Sequence, residues 1–327
     1  MNLHAGEIQT GSRLHFGLLG WGEAYVRQFG GLGLMIEEPA LRLAVAPSEV
    51  DRVVGSTSAA SRITELMGNL RARGFALPPV CIEVLEAPRE HVGLGSGTQL
   101  SLAAACLLLD SIAQPDLAAD RLAELTARGR RSGVGLHGFL HGGLIVDGGR
   151  SSDSVAPPLL ARYEFPSDWS VLVVIPEGPT GLHGVEERRA FRELPSVPTA
   201  VSDRLCRLVL LELLPALIER DLPLFGEALE RIQRLVGETF APAQGGVFAN
   251  NAFDRIAAVL RDEGCVGIGQ SSWGPALYGF RLAGNSVDLD RLAARCGVDR
   301  ERILVTKARN RGAELRRSSG ATSVLAD

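Results

Sequence analysis

The chain has 327 residues, of which 46% are hydrophobic and 22% charged, and a formal net charge of -4. That length predicts two domains with a sizeable core, and a charge balance without a dominant basic stripe argues against a nucleic-acid partner. No run of about eighteen uncharged apolar residues reads as a membrane span, since Leu205 to Ile218 is broken by Arg207, Glu212 and Pro215.

The N-terminal stretch MNLHAGEIQTGSR has no apolar signal core. Five cysteines (Cys81, Cys106, Cys206, Cys265 and Cys296) show no C-x-x-C pair. They read as reduced core thiols of a cytoplasmic protein, with no disulfide frame and no protein metal site.

In chain order, the first landmark is TGSRLHFG, where Arg13 and His15 alternate with Leu14 and Phe16. That period of two describes a half-buried strand whose polar face lines a site, or one that is merely exposed. Gly30, Gly31 and Gly33 then mark a turn or bulge, and Leu41 to Ala46 a second strand. Ser61 to Gly74 reads as an amphipathic helix and Val80 to Leu85 as an alternating strand.

The stretch around which these elements are arranged is VGLGSGTQLSLAAACLLL, Val92 to Leu109. Gly93, Gly95 and Gly97 permit sharp turning and close ligand approach. Ser96 and Thr98 suit an N-cap, and the Ala/Leu run beyond them favours helix. A glycine-rich loop feeding a helix N-terminus is an anion site, most often for phosphate. A tight turn into a buried helix explains the same residues without a ligand. The loop lacks the Lys-Ser/Thr of a Walker A loop and the glycine offset of a dinucleotide fingerprint.

Pro115 stops the helix, and Leu117 to Arg128 is another. Gly129 to Gly149, GRRSGVGLHGFLHGGLIVDGG, follows, with eight glycines among Arg130, Arg131, Ser132, His137 and His141. It reads as close-packed backbone placing polar groups around a ligand, closing in a strand and turn. Arg150 to Trp169 is the approach to a second domain. Ser170 to Ile175 is a buried strand, and the next helix opens with Glu186 and Glu187, as the dipole favours. His183, Glu186 and Glu187 stand near enough in sequence to reach a site from that side, although an acidic first turn needs no function. Asp203 to Arg220 is a long helix kinked at Pro215, with further helices at Leu224 to Val236, Asn251 to Glu263 and Leu289 to Cys296. Strands are expected at Cys265 to Gly269, within Gly269 to Leu282 and at Arg302 to Thr306. The helices of this half are expected to cover one face of its sheet.

Three segments, TGSRLHFG, GLGSGTQLSLAAA and GQSSWGPALYG, stand in the order of the GHMP small-molecule kinase superfamily, which their sequences resemble. The resemblance implies an α+β, two-domain GHMP kinase-like fold. Its N-terminal domain, residues 1–160, would be of the ribosomal protein S5 domain 2-like type and carry the phosphate loop. Its C-terminal domain, residues 161–327, would be a ferredoxin-like α/β sandwich. The mevalonate-kinase branch carries a Ser-Gly-x-Asp segment seven residues before a Gly-Gly pair. Here the matching segment is Ser132-Gly133-Val134-Gly135, so glycine replaces the carboxylate and can neither take a proton nor orient a hydroxyl. The usual lysine of the first motif is also absent.

RSGVGLHGFLHGGLIVDGG, TGSRLHFGLL and GQSSWGPALYG together resemble the β-ribofuranosylaminobenzene 5′-phosphate synthase family. That resemblance implies a pentosyltransferase of early tetrahydromethanopterin biosynthesis. Phosphoribosyl diphosphate and 4-aminobenzoate would form a C-riboside, releasing diphosphate and carbon dioxide; 4-hydroxybenzoate is an open alternative acceptor. Gly93, Gly95, Ser96, Gly97 and Thr98 would bind phosphate. Arg130, Arg131, Ser132, Ser271, Ser272 and Trp273 would bind substrate, with Trp273 against the acceptor ring or simply in the core. Arg13, His15, His137 and His141 would carry charge and protons. Mg²⁺ would be held mainly by the diphosphate. The family suggests a homodimer acting on small molecules, with no nucleic acid and no membrane. A divergent ATP-dependent kinase and a non-catalytic binder of a phosphorylated metabolite are the competing readings.

Overall fold

A computed structural model of the chain describes residues 4–114, 117–178, 180–284, 286–317 and 322–325. The helix stop assigned to Pro115 lies outside them. Two long antiparallel strands, β1 (Gly6–Gly20) and β2 (Phe29–Pro47), form the spine of the first half. The register slips between Thr10 and Ser12 and between His15 and Gly17. Bulges of this kind bend a strand and re-aim its side chains, here next to Arg13 and His15. Gly30, Gly31 and Gly33 lie inside β2, so of the turn or bulge expected there the chain forms a strand with a bulge opposite Gly33. Gly31 and Gly33 are needed for close packing, because a Cβ on Gly31 would meet Ser132 and Asp147 and one on Gly33 would meet Leu14 and Val134.

β3 (Arg52–Val54) and β4 (Val80–Glu86) extend the sheet beyond β2 and flank α1 (Thr57–Ala72). Next come α2 (Ser96–Ser111), α3 (Ala119–Thr126), α4 (Val134–His141), β5 (Leu144–Asp147) and β6 (Leu159–Tyr163). β5 pairs with β2 and β6. Helices α1 to α4 share one core with β1 and β2. Every residue of α2 from Gln99 to Ser111 is buried, as a helix apolar on all sides should be. The close-packed backbone read between Gly129 and Gly143 is largely a helix, α4. Its glycines serve packing, since a Cβ on Gly138 would lie 2.6 Å from Met35 Sδ and one on Gly135 would lie 3.1 Å from Thr98 Cγ2.

The second half supplies β7 (Trp169–Val174), α5 (Gly184–Glu193), α6 (Thr199–Leu208), α7 (Leu214–Ile218), α8 (Leu222–Gln244) and α9 (Phe253–Asp262). It continues with β8 (Val266–Gln270), β9 (Leu277–Leu282), α10 (Leu289–Cys296) and β10 (Ile303–Lys307). Its sheet runs β10-β7-β9-β8, all antiparallel. Alternation along β7 splits its side chains between two cores. Leu172 and Val174 pack with α9 and α10, while Val171 and Val173 face α6 to α8 and the first sheet. Both faces are therefore covered, not one.

Between α6 and α7 the helix widens into a π turn at Val209–Leu213. Pro215 has no N–H for the Leu211 carbonyl, and its ring would clash there, so the chain relieves the conflict in the preceding turn. The last strands, β11 (Glu314–Arg317) and β12 (Thr322–Val324), return to the first sheet beside β1. The chain thus does not part cleanly at residue 160. Among the described residues no helix is long and apolar enough to cross a membrane.

Candidate active site

The three sequence landmarks meet in one hydrogen-bonded junction. The Arg13 amide donates to the Leu94 carbonyl at 2.9 Å. The His15 amide donates to Ser271 Oγ at 3.0 Å, and that hydroxyl donates to the Gly93 carbonyl at 2.7 Å. The Ser272 amide returns to the His15 carbonyl at 3.1 Å, and the Ala276 amide to Val92 at 3.0 Å. Ser271 is fully buried in this junction and does not line the cavity. It holds the first and third motifs to the loop, which corrects its assignment to substrate.

The loop glycines make room for each neighbour. A Cβ on Gly93, whose φ is 91°, would lie 2.3 Å from the Ser271 carbonyl oxygen. One on Gly95 would lie 2.9 Å from Arg13 Nε, and one on Gly97 2.1 Å from Arg62 Nη1. Gly95, in the left-handed conformation, precedes α2, and no side chain caps the helix. Ser96 and Thr98 therefore belong to the first turn and are not the N-cap. An uncapped helix N-terminus with arginines on both sides is a strong anion site.

A cavity of about 750 Å³ opens over this loop. Gly93, Gly95, Ser96, Gly97, Thr98, Arg13, His15, Arg130, Arg131, Ser132, Ser272 and Trp273 all line it. His137 and His141 do not. His137 is buried on α4 with Nε2 2.8 Å from the Pro157 carbonyl, which requires a proton on that nitrogen. His141 lies further along the same helix, its ring 6.3 Å from that of His137. His137 is packed inside the fold and half-buried His141 lies outside the cavity lining, so neither is given a catalytic role below.

One half of the cavity is cationic. Arg62 from α1, together with Arg128 and Arg188, joins the arginines read from the sequence. Burial brings Arg13 down from 12.5 to about 10, with Glu187 partly opposing the shift. Burial likewise brings Arg128 to about 10, with Arg62 adding to the fall. Arg13 Nε is buried without a hydrogen-bond partner. Burial and the charges of Arg13 and Arg131 hold His15 well below the ordinary histidine range, so its ring is neutral at pH 7. Crowded, desolvated positive charge of this kind is electrostatically suited to a polyanion.

The other half is aromatic. Trp273 packs edge-on against Phe240 at 4.6 Å and Phe191 at 5.6 Å between ring centroids. Its Nε1 donates to Glu187 Oε1 at 3.2 Å. Trp273 is 6% exposed, so it belongs to the core and offers the cavity only an edge. Gln233, Gln244 and Gln270 complete this end. The two halves meet where the Arg131 guanidinium sits 4.6 Å over the Phe191 ring and pairs with Glu187.

No protein-family model matches the chain. It is 35% identical to the β-ribofuranosylphenol 5′-phosphate synthase of Archaeoglobus fulgidus, an alignment covering 94% of this chain and 98% of that protein. The enzyme of the same name from Methanothermobacter thermautotrophicus is 33% identical, with 94% and 97% covered. The chain belongs to the β-ribofuranosylphenol 5′-phosphate synthase family. It is accordingly an enzyme of the pentosyltransferase class. Among solved structures, mevalonate diphosphate decarboxylase from Staphylococcus aureus superposes with a TM-score of 0.65 at 16% identity, covering 96% of this chain and 98% of that one. Homoserine kinase from Cytophaga hutchinsonii superposes with a TM-score of 0.63 at 14% identity, covering 95% and 97%. These likenesses establish the GHMP kinase fold.

In this family member, sequence reasoning missed Arg62 and Arg128. Each is a single arginine on or beside an amphipathic helix, indistinguishable from a solvated charge. The one available signal for Arg62 was Gly97, whose missing side chain leaves space for it.

Proposed function

We propose that the chain transfers the 5-phosphoribosyl group of phosphoribosyl diphosphate to the carboxyl-bearing ring carbon of a para-substituted benzoate, releasing diphosphate and carbon dioxide. This reading rests on one observation: a cationic half and an aromatic half share a single cavity and meet at Arg131. A polyanionic donor suits the first half, and a flat apolar ring the second. The curated relatives are named for a phenol product, which favours 4-hydroxybenzoate as acceptor; 4-aminobenzoate would undergo the same bond changes.

As the C1′–O bond breaks, its electron pair leaves with diphosphate. Arg13, Arg62 and Arg128, with the amides opening α2, stabilise the charge that develops there. The ring carbon supplies the pair for the new C1′–C bond. Breaking the bond to the carboxylate then returns a pair to the ring and restores its aromaticity. Only proton movement at the para substituent accompanies these steps, so no base is required where the kinases use one. That position is Gly135, whose carbonyl accepts from Gln99 Nε2 at 2.9 Å.

Mg²⁺ bound to the donor would add positive charge at the leaving group. Among the described residues no group of three or more His, Cys, Asp or Glu side chains can hold a metal. The cavity carboxylates are Glu65, Glu90 and Glu187, and Glu187 is engaged by Arg131 and Trp273. That set would suit a cation carried mainly by diphosphate oxygens, to which Glu65 could add a carboxylate, Glu90 already accepting from Ser58.

Carboxyl-labelled 4-hydroxybenzoate and 4-aminobenzoate, each incubated with Mg²⁺ and phosphoribosyl diphosphate, test the reading. Label should be released only when both substrates are present. Release from neither acceptor, with stabilisation by ATP alone, would return the chain to the kinases.

A further inference from the structure

Two histidines to which the proposed function gives no role face each other at the cavity. His91 immediately precedes the phosphate loop, and His183 caps the start of α5. Their rings stack with centroids 3.6 Å apart and planes 19° from parallel, and both line the cavity. The two loops are tied together, because the Gly181 amide donates to the His91 carbonyl at 3.0 Å. His91 also adopts a φ of 59°, in the left-handed region that histidine enters more readily than most side chains.

The environment defines what this pair can do. His183 Nδ1 lies 2.9 Å from the Gly181 carbonyl. A carbonyl only accepts, so Nδ1 carries a hydrogen and Nε2 is the nitrogen at which this ring can gain or lose a proton. Around His91 stand Glu90, with Oε2 3.8 Å from Nε2, and Arg62 from α1. Glu187 and Arg188 of α5 line the same space. Burial, His183 and Arg62 hold His91 below the ordinary histidine range, against the pull of Glu90. Burial and the neighbouring Arg62 charge disfavour a proton on His91. A polyanion in the same cavity reverses that balance.

We propose that His91 and His183 form a proton-coupled clamp for the polyphosphate end of the donor, the pair taking one proton from solvent as the anion binds and returning it when the anion leaves. This inference rests on the donor site assigned under the proposed function. Its chemistry needs only solvent protons, and it gives each loop a reason to carry an imidazole in place of another arginine: release of product is coupled to release of the proton.

The test is calorimetric titration of the full-length protein with inorganic diphosphate near pH 7.5, repeated in two buffers of different ionisation enthalpy. Wild type should take up about one proton more per diphosphate than His183→Gln. The variant should bind roughly tenfold more weakly, with a flatter pH dependence. His91→Asn, which tolerates the left-handed backbone, should lose the same uptake. Equal uptake by wild type and both variants, with diphosphate bound, would overturn the clamp alone. No binding of diphosphate to wild type would overturn the donor site and the clamp with it.

Discussion

Arg13 sets stability against function, and its replacement by methionine separates the two. Methionine keeps most of the length and removes the charge. With burial bringing the guanidinium from 12.5 to about 10, the charged form carries a penalty of about 3 kcal/mol at ~1.4 kcal/mol per pH unit. The side chain is only partly shut off from cavity solvent, and Glu187 opposes the penalty, so about 1–2 kcal/mol remains. Because Nε has no partner to lose, the ligand-free Arg13→Met protein should melt about 2–3 °C above wild type. Diphosphate should stabilise wild type much more than the variant. Loss of a preorganised positive group at the leaving group should lower kcat/KM by about 100-fold to 1000-fold. Thermal melts with and without diphosphate, beside steady-state kinetics, check both halves. A lower ligand-free melting temperature, or a kcat/KM within about threefold of wild type, would refute the reasoning.

Gly93→Ala should destabilise by about 3 kcal/mol or more, because its Cβ would strike the Ser271 carbonyl at a backbone conformation that alanine resists; denaturant unfolding measures it. His15 is neutral in the fold and basic in the unfolded chain. The folded state therefore binds fewer protons below about pH 6.5, and stability falls as pH drops from there toward the depressed folded value. His15→Gln should flatten that acid limb, read from unfolding free energies at pH 5, 6 and 7. His137→Ala should cost roughly 1–2 kcal/mol through its lost bond to Pro157, and His141→Asn little; the KM values of both should stay within about twofold of wild type. Asp147 accepts from Ser132 Oγ at 2.9 Å, Gly133 N at 2.7 Å and Gly149 N at 2.9 Å. Its replacement by alanine should cost about 2–4 kcal/mol and loosen the start of α4.

Local patterns made much of the site legible. Alternation around Arg13 and His15 placed both on a strand, and the glycine spacing of the loop located the turn that opens α2 at the cavity. What the sequence concealed depends on contacts between distant segments. The glycines of α4 look like loop residues, yet Gly135 and Gly138 are helical, glycine there fitting the close approach of Thr98 and Met35. β11 and β12 are short and polar, and only their pairing beside β1 makes them strands. α8 runs past Pro242 to Gln244 and so brings Phe240 and Gln244 to the cavity; the apolar periodicity alone ended it at Val236. His137 and His141 misled for the converse reason. A histidine among glycines carries the same letters whether it lines a cavity or, as His137 does, packs against a backbone carbonyl.

The most direct test of decarboxylating ribosyl transfer is the bond that it makes. The donor would carry ¹³C at C1′, and 4-hydroxybenzoate would carry ¹³C at the ring carbon bearing the carboxylate. A one-bond carbon–carbon coupling between the two labels in the product, with the carboxyl group gone, is the predicted result. A product with the ribosyl carbon on oxygen and the carboxylate retained would contradict the account.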